Sequence, residues 1–212
     1  MNPHEKAANE IVKKILGEVV QKDRIFTMSL SGESGCGKTE TGKAFIEVFE
    51  KHGIKALVLG QDNYFHLTPV PNDARRKADP TWLGPRKEVD LDLMNKILVD
   101  GRNGISHVGV PIIDYYSNER TEVSVDISNV KVIIAEGTYT CLLRDLDCRV
   151  FIDADYHDTL KYRRLRNRGN EVNDPFVENV LETEHKIIAG QYYIADIIID
   201  KDYNVHFKSN MI

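Results

Sequence analysis

"SLSGESGCGKTE", residues 29–40, satisfies G-x-x-x-x-G-K-[ST] through Gly32, Gly37, Lys38 and Thr39. The apolar run Ile25-Phe26-Thr27-Met28 precedes it, and "TETGKAFIEVFEKH" follows with apolar residues at helical spacing up to Gly53. Strand, glycine-rich loop and helix in that order build a phosphate cradle. Glycines let the backbone N–H groups turn inward, and the helix N-terminus adds partial positive charge. The cradle is expected from Gly32, Glu33, Ser34, Gly35, Cys36, Gly37, Lys38, Thr39 and Glu40. Lys38 would reach the β- and γ-phosphates of ATP or GTP, and the Thr39 hydroxyl would face Mg²⁺. An ordinary glycine-rich turn would not need the flanking strand and helix.

Outward from the loop, "KALVLG" reads as a second strand, and a strand–helix–strand order requires a parallel crossover. "NVKVIIAEG", "CRVFIDAD" and "ADIIID" are further buried-strand runs, separated by helical patterns. The expected fold class is therefore α/β, three layers around a central parallel sheet, with ligands at the carboxyl ends of the strands. At 212 residues the chain fits one domain. Within it, residues 1–22 read as an opening helix and 104–128 as a small antiparallel β-ribbon around "YYSNER". Residues 62–88 read as a substrate flap, its Pro- and charge-rich part from 68 to 88 as loop, and 158–174 as a helical lid.

A formal net charge of −5 argues against general nucleic-acid binding, which needs a basic surface. Cysteines at 36, 141 and 148 are odd in number and lack C-x-x-C spacing, so the expected compartment is the reducing cytoplasm. No apolar run approaches membrane-spanning length, and "MNPHEKAANE" lacks an apolar signal core.

Phosphoryl transfer needs a metal-organising carboxylate, a group that orients the nucleophile, and mobile cations. Glu136 ends an apolar strand and is the candidate Mg²⁺ carboxylate; Asp153 and Asp155 compete for that role. Asp62, emerging from the second strand in "QDNYFH", is either a base for the acceptor hydroxyl or a turn residue or second Mg²⁺ ligand; spacing alone does not separate these. Arg163, Arg164, Arg166 and Arg168 lie on one helical run, where Arg164 and Arg168 share a face that could close over a transferring phosphate. A solvated basic face is the alternative.

These ordered segments resemble the uridine kinase and phosphoribulokinase family of P-loop small-molecule kinases, most closely its uridine kinase branch. "GESGCGKT" looks like the family's phosphate loop and "LGQDNYF" like its Q-D-x-[FY]-[FY] segment. "PIIDYYSNERTE" is similar to its substrate segment, "VIIAEG" to its acidic strand end, "VFIDADYHDTLKYRRLRNRG" to its lid, and "YYIADIII" to its closing strand. The resemblance implies a P-loop NTPase fold, Asp62 as catalytic base beside Lys38, Arg164 and Arg168, and an oligomeric habit. It also places Tyr64, Asp114, Tyr115 and Arg120 on the acceptor side. Departures cluster in that pocket. Ile113 and Asn118 stand where the uridine branch has an aromatic residue and a histidine that read the pyrimidine, and Leu83 and Gly84 replace an acidic residue and a histidine. Asn170 stands where a further lid arginine would be.

The expected activity is transfer of the γ-phosphate of ATP or GTP to a hydroxyl of a small metabolite. A nucleoside is the first candidate, and a pantothenate-like or sugar-like alcohol the second. A nucleotide switch would carry a guanine-reading N-K-x-D, and "NKIL" at 95–98 lacks the aspartate. A transport ATPase would carry L-S-G-G-Q, which is absent.

Overall fold

The computed structural model describes residues 2–160 and 175–208. Strand β1 (Phe26–Gly32) is central, and every residue in it is buried. It pairs in parallel with β5 (Val132–Gly137) on one side and β6 (Cys148–Asp153) on the other. The six-stranded sheet continues through β2 (Ala56–Gly60) beyond β5, and through β7 (Ile197–Asp200) and β8 (Val205–Phe207) beyond β6, only β8 running antiparallel. Burial on both faces explains why the strands read as continuous apolar runs. Thr27 and Ser31, buried within β1, are tolerated because their hydroxyls bond Asp145 O at 2.8 Å and Thr138 O at 3.0 Å.

Side-chain alternation divides the core between the two faces. Phe26, Met28, Leu30, Val132, Ile134, Val150, Ile152, Ile197 and Ile199 pack beneath α1 (Pro3–Gln21) and α2 (Lys38–Lys51). Ile133, Ala135, Phe151 and Ile198 face the other way, with Met94, Ile97 and Leu98 of α4 (Leu91–Arg102) and Ile188 of α5 (Pro175–Ile188). Two helical layers around one mostly parallel sheet make the three-layer α/β architecture. The ribbon is a separate two-stranded sheet, β3 (His107–Asp114) against β4 (Glu119–Asp126).

Residues 68–88 differ from the sequence expectation of a loop. They contain α3 (Pro69–Ala78) and a 3-10 turn at Pro80–Trp82. The helix starts on Thr68 with Pro69 in its first turn, and Arg75, Arg76 and Lys77 occupy its last turn, where they complement the helix dipole. Periodicity missed it because the segment is polar almost throughout and its one buried residue is Asn72. Arg163, Arg164, Arg166 and Arg168 lie outside the described residues, as does Asn170.

Candidate active site

The strand order places β1 between strands reached by different crossovers, so a cleft opens at its carboxyl end. Leu30 and Ser31 register with Glu136 and Gly137, and Gly60 registers with Glu136 across β5. The phosphate loop, Glu136 and the 3-10 turn Gln61–Tyr64 therefore leave three adjacent strands at one level. A cavity of about 80 Å³ results, lined by Ser34, Gly35, Lys38, Thr39, Asp62, Glu136 and Thr138. Candidates from three separate segments, up to a hundred residues apart, thus share one lining; Asp153 and Asp155 are not part of it.

Within the loop, Gly35 and Gly37 adopt φ of +85° and +89°. Gly37 has a further constraint, because a Cβ there would collide with the Tyr203 hydroxyl and the His4 ring. Tyr203 donates to Cys36 O at 2.8 Å and His4 Nδ1 bonds Thr41 Oγ1 at 2.9 Å, so both ends of the chain brace the loop. Lys38 is buried, its ammonium donating to Gly32 O at 3.0 Å and Glu33 O at 2.9 Å. Burial pushes the Cys36 thiol up from its ordinary range, which suits a packing role. The side chains of two cradle residues point elsewhere. Glu40 pairs with Lys43 on the exposed side of α2 at 3.0 Å, and Glu33 turns inward to His185 of α5 at 2.8 Å. Their share in the cradle is limited to backbone N–H groups.

Thr138 carried no sequence signal beyond proximity to Glu136, and Gln61 was legible only as the first residue of the Q-D-x-[FY]-[FY] segment, with no role attached. Gln61 donates to Thr138 Oγ1 at 2.9 Å and accepts from Tyr139 N at 2.8 Å, locking the turn that carries Asp62 onto the end of β5. Gly137 makes this possible, since a Cβ there would overlap the Gln61 side chain. Gly137→Ala is expected to cost about 1–3 kcal/mol of stability and to displace Asp62. Denaturant unfolding with parallel activity assays would show both losses, and two unchanged values would contradict the role given to Gln61.

The acceptor-side residues divide. Tyr115 donates to Asp62 O at 3.1 Å and Arg120 to Phe65 O at 3.2 Å, so both tie the ribbon to the turn that carries Asp62. Asp114 accepts from Tyr116 N at 2.7 Å and Ser117 N at 3.2 Å, and these bonds pull its carboxyl below the usual range; it shapes the ribbon turn. Tyr64 corrects the expectation. Its ring is fully buried in the core, beneath the ribbon and α4, because the 3-10 turn directs it inward.

Behind the loop lies a buried charged cluster. Arg76 of α3 pairs with Glu88 and, at 3.4 Å, with Glu184 of α5. Asn72 donates to Glu88 at 2.7 Å, and Gly84 N donates to it at 3.1 Å. Burial, then Glu88 and Glu33, raise the Glu184 carboxyl to about 7, against the pull of Arg76 and Lys38. A raised carboxyl pKa means the folded state holds a proton that the unfolded state has released. The contribution of Glu184 to stability is therefore present below pH 4.5 and is lost as pH rises to about 7. Glu184→Gln is expected to remove that fall, on the order of 3 kcal/mol, so that the variant gains clearly more Tm over the parent at pH 8 than at pH 5. Equal differences at both values would contradict it.

Among the described residues no group of three or more His, Cys, Asp or Glu could hold a metal ion by itself. One hydroxyl, Thr39, and one carboxylate, Glu136, suit a Mg²⁺ that takes its remaining oxygens from nucleotide phosphates and water. The phosphoribulokinase / uridine kinase family model matches residues 27–206, spanning the loop, Asp62, Glu136 and the closing strand. The chain belongs to this family. It is a kinase of the P-loop class.

Among curated family relatives, a uridine kinase of Staphylococcus aureus is 29% identical over 187 residues, covering 81% of this chain and 86% of its own. A bifunctional alpha-galactosidase/sucrose kinase of Mediterraneibacter gnavus is 28% identical over 190 residues, covering 84% of this chain. This chain spans only 20% of that longer protein. The solved D-glycerate 3-kinase of Cryptococcus neoformans superposes with a TM-score of 0.63 over 95% of this chain and 99% of its own, at 13% identity, which shows the shared fold.

Proposed function

We propose that the protein transfers the γ-phosphoryl group of ATP or GTP to a hydroxyl of a small metabolite. The observation that carries this reading is the common lining of Lys38, Thr39, Asp62 and Glu136 in one cavity at the carboxyl end of the sheet. Mg²⁺-bound nucleotide supplies the electrophilic phosphorus when present. The loop N–H groups and Lys38 would hold its phosphates, while Thr39 and Glu136 would hold the cation. Asp62 accepts the proton of the acceptor hydroxyl as that oxygen attacks, and the Gln61–Thr138 bond holds its turn at the strand end. Arg164 and Arg168 would close over the transferring group. A cytoplasmic location and assembly into homo-oligomers belong to the same reading.

Two observations weigh against a nucleoside as acceptor and leave a pantothenate-like or sugar-like alcohol. Asn118 sits in the ribbon turn at φ +58°, and its side-chain oxygen accepts from Val70 N of α3 at 2.9 Å. Ile113 is buried, with its N–H donating to Asn63 at 2.9 Å. Neither position offers a pyrimidine the contacts that the uridine branch makes there. Relatives on this fold bear names for sucrose, uridine and D-glycerate, so the scaffold itself does not select the acceptor. The test is ADP release with ATP and Mg²⁺ against a panel of sugars, nucleosides, glycerate and pantothenate. Stimulation by at least one acceptor supports the kinase reading. Acceptor-independent release at an unchanged rate throughout the panel points to a nucleotide hydrolase or switch instead.

A further inference from the structure

At the end of the sheet opposite the phosphate loop lies a second, larger cavity of about 410 Å³. It opens where Ile25 leads into β1 and where Val130 and Lys131 lead into β5, between the end of α4 and the base of the ribbon. Its volume falls in the range that holds small metabolites. The transfer chemistry proposed above does not reach it.

The walls combine apolar surface with fixed positive charge. Ile25, Ile127 and Val130, all buried, supply the apolar part, and Arg24, Arg102 and Lys131 line it together with Asp23. The two arginines converge on Asp147, whose side chain is buried. Arg24 takes both of its oxygens, at 2.6 and 2.7 Å, and Thr27 N donates to Oδ2 at 3.0 Å. Lys22 Nζ stands 3.5 Å from Oδ1. Arg102 therefore meets a carboxylate whose oxygens are already taken, and its Nη2 stays 3.8 Å from Oδ1, beyond hydrogen-bond reach. The Lys131 ammonium donates to neutral groups, Lys22 O and, at 3.5 Å, Arg24 O.

A partly exposed guanidinium in a cavity wall, with its charge partner out of bonding range, suits an incoming phosphate or carboxylate, which it can bind through two parallel N–H groups. Lys131 adds a second charge to the same lining. The apolar part calls for a carbon body behind the anionic group, since a bare ion would leave it uncovered.

Two elements that wall this cavity also hold the turn of Asp62. Residues 101–104 at the end of α4 line the cavity, while at its start Asp90 N donates to Tyr64 O at 2.7 Å. The helix covers 12 residues, about 18 Å. Ile105, Ile127 and Ser128 line the cavity at the base of the ribbon, and towards its tip Ile113 N bonds Asn63 at 2.9 Å and Tyr115 bonds Asp62 O at 3.1 Å.

We propose that this cavity is an effector site for a small organic anion, a phosphate ester or carboxylate with a carbon body, held by Arg102 and Lys131. It goes beyond the kinase reading, because its ligand binds at the end of the sheet away from the phosphate loop.

The test is titration calorimetry on the full chain, saturated with a non-hydrolysable ATP analogue and Mg²⁺ so that the loop is occupied. Phenyl phosphate and glucose 6-phosphate represent phosphate esters, and phenylacetate and citrate represent carboxylates. Inorganic phosphate and benzyl alcohol control for the bare ion and the neutral body. At least one organic anion is expected to bind at least about tenfold more tightly than either control. Arg102→Gln and Lys131→Gln are each expected to weaken it about tenfold, with circular dichroism and affinity for the analogue unchanged. The same anion should shift the acceptor KM of the parent about fivefold and leave that of Arg102→Gln in place. No binding by any organic anion, binding no tighter than that of the controls, or two folded variants that bind like the parent would each overturn the site. Binding through Arg102 that leaves the kinetics of an active parent unchanged would overturn its effector role. A chain that phosphorylates no acceptor ends the kinase reading, and the calorimetric comparison of parent and variants still decides whether the cavity binds an anion.

Discussion

Asp62→Asn is expected to lower acceptor-dependent turnover by about 10²–10⁴-fold, the usual contribution of a positioned general base. Nucleotide affinity should be nearly unchanged. The asparagine keeps the size of the side chain, and the turn remains anchored through Gln61 to Thr138 and Tyr139 and through Tyr115 to Asp62 O. What is lost is the ability to accept a proton from the attacking hydroxyl. Steady-state kinetics with fluorescence titration of nucleotide separate the two effects. A variant retaining more than about a third of parental kcat would remove Asp62 from the chemistry. One that loses nucleotide binding in parallel would make it a structural or metal-linked group.

Lys38→Ala should act on the other partner. The parent ammonium is buried and held over the loop by Gly32 O and Glu33 O. Truncation leaves both carbonyls without their donor and the phosphates without their nearest fixed cation. Turnover is expected to fall by about 10²–10³-fold, as when one preorganised donor to a developing charge is removed. Nucleotide should also bind more weakly than in the parent. Lys38→Arg is not expected to rescue activity, because a planar guanidinium cannot occupy the small space between two loop carbonyls with the geometry of an ammonium. Full rescue by arginine would show that charge alone matters at this position. Normal turnover in the alanine variant would contradict the cradle.

The parts of the site legible in the sequence were those encoded locally. Lys38 and Thr39 follow a glycine pattern between a strand and a helix, and Asp62 and Glu136 end apolar runs. Parallel pairing then brings these separate strand ends together. The helix α3 escaped notice because α3 buries a polar residue, Asn72, against Glu88 instead of presenting an apolar stripe. The resemblance puts Tyr64 on the acceptor side, but a 3-10 turn sends neighbouring side chains in different directions, and this one enters the core. The links from Glu33 to His185 and from Arg76 to Glu184 join residues more than a hundred positions apart, with no spacing to announce them. Gln191 belongs to the same class. Its side-chain amide binds Ser31, Cys141 and Thr138 from the far end of the chain. Such pairings are products of the tertiary fold, and only the structure displays them.

The most direct test of phosphoryl transfer is to follow the label from [γ-³²P]ATP. The purified protein would be incubated with Mg²⁺ and the acceptor panel, and the products separated by chromatography. The account predicts that label appears on a hydroxyl-bearing acceptor in the parent and not in Asp62→Asn. Label recovered only as inorganic phosphate, or remaining entirely in ATP that the protein demonstrably binds, would contradict it.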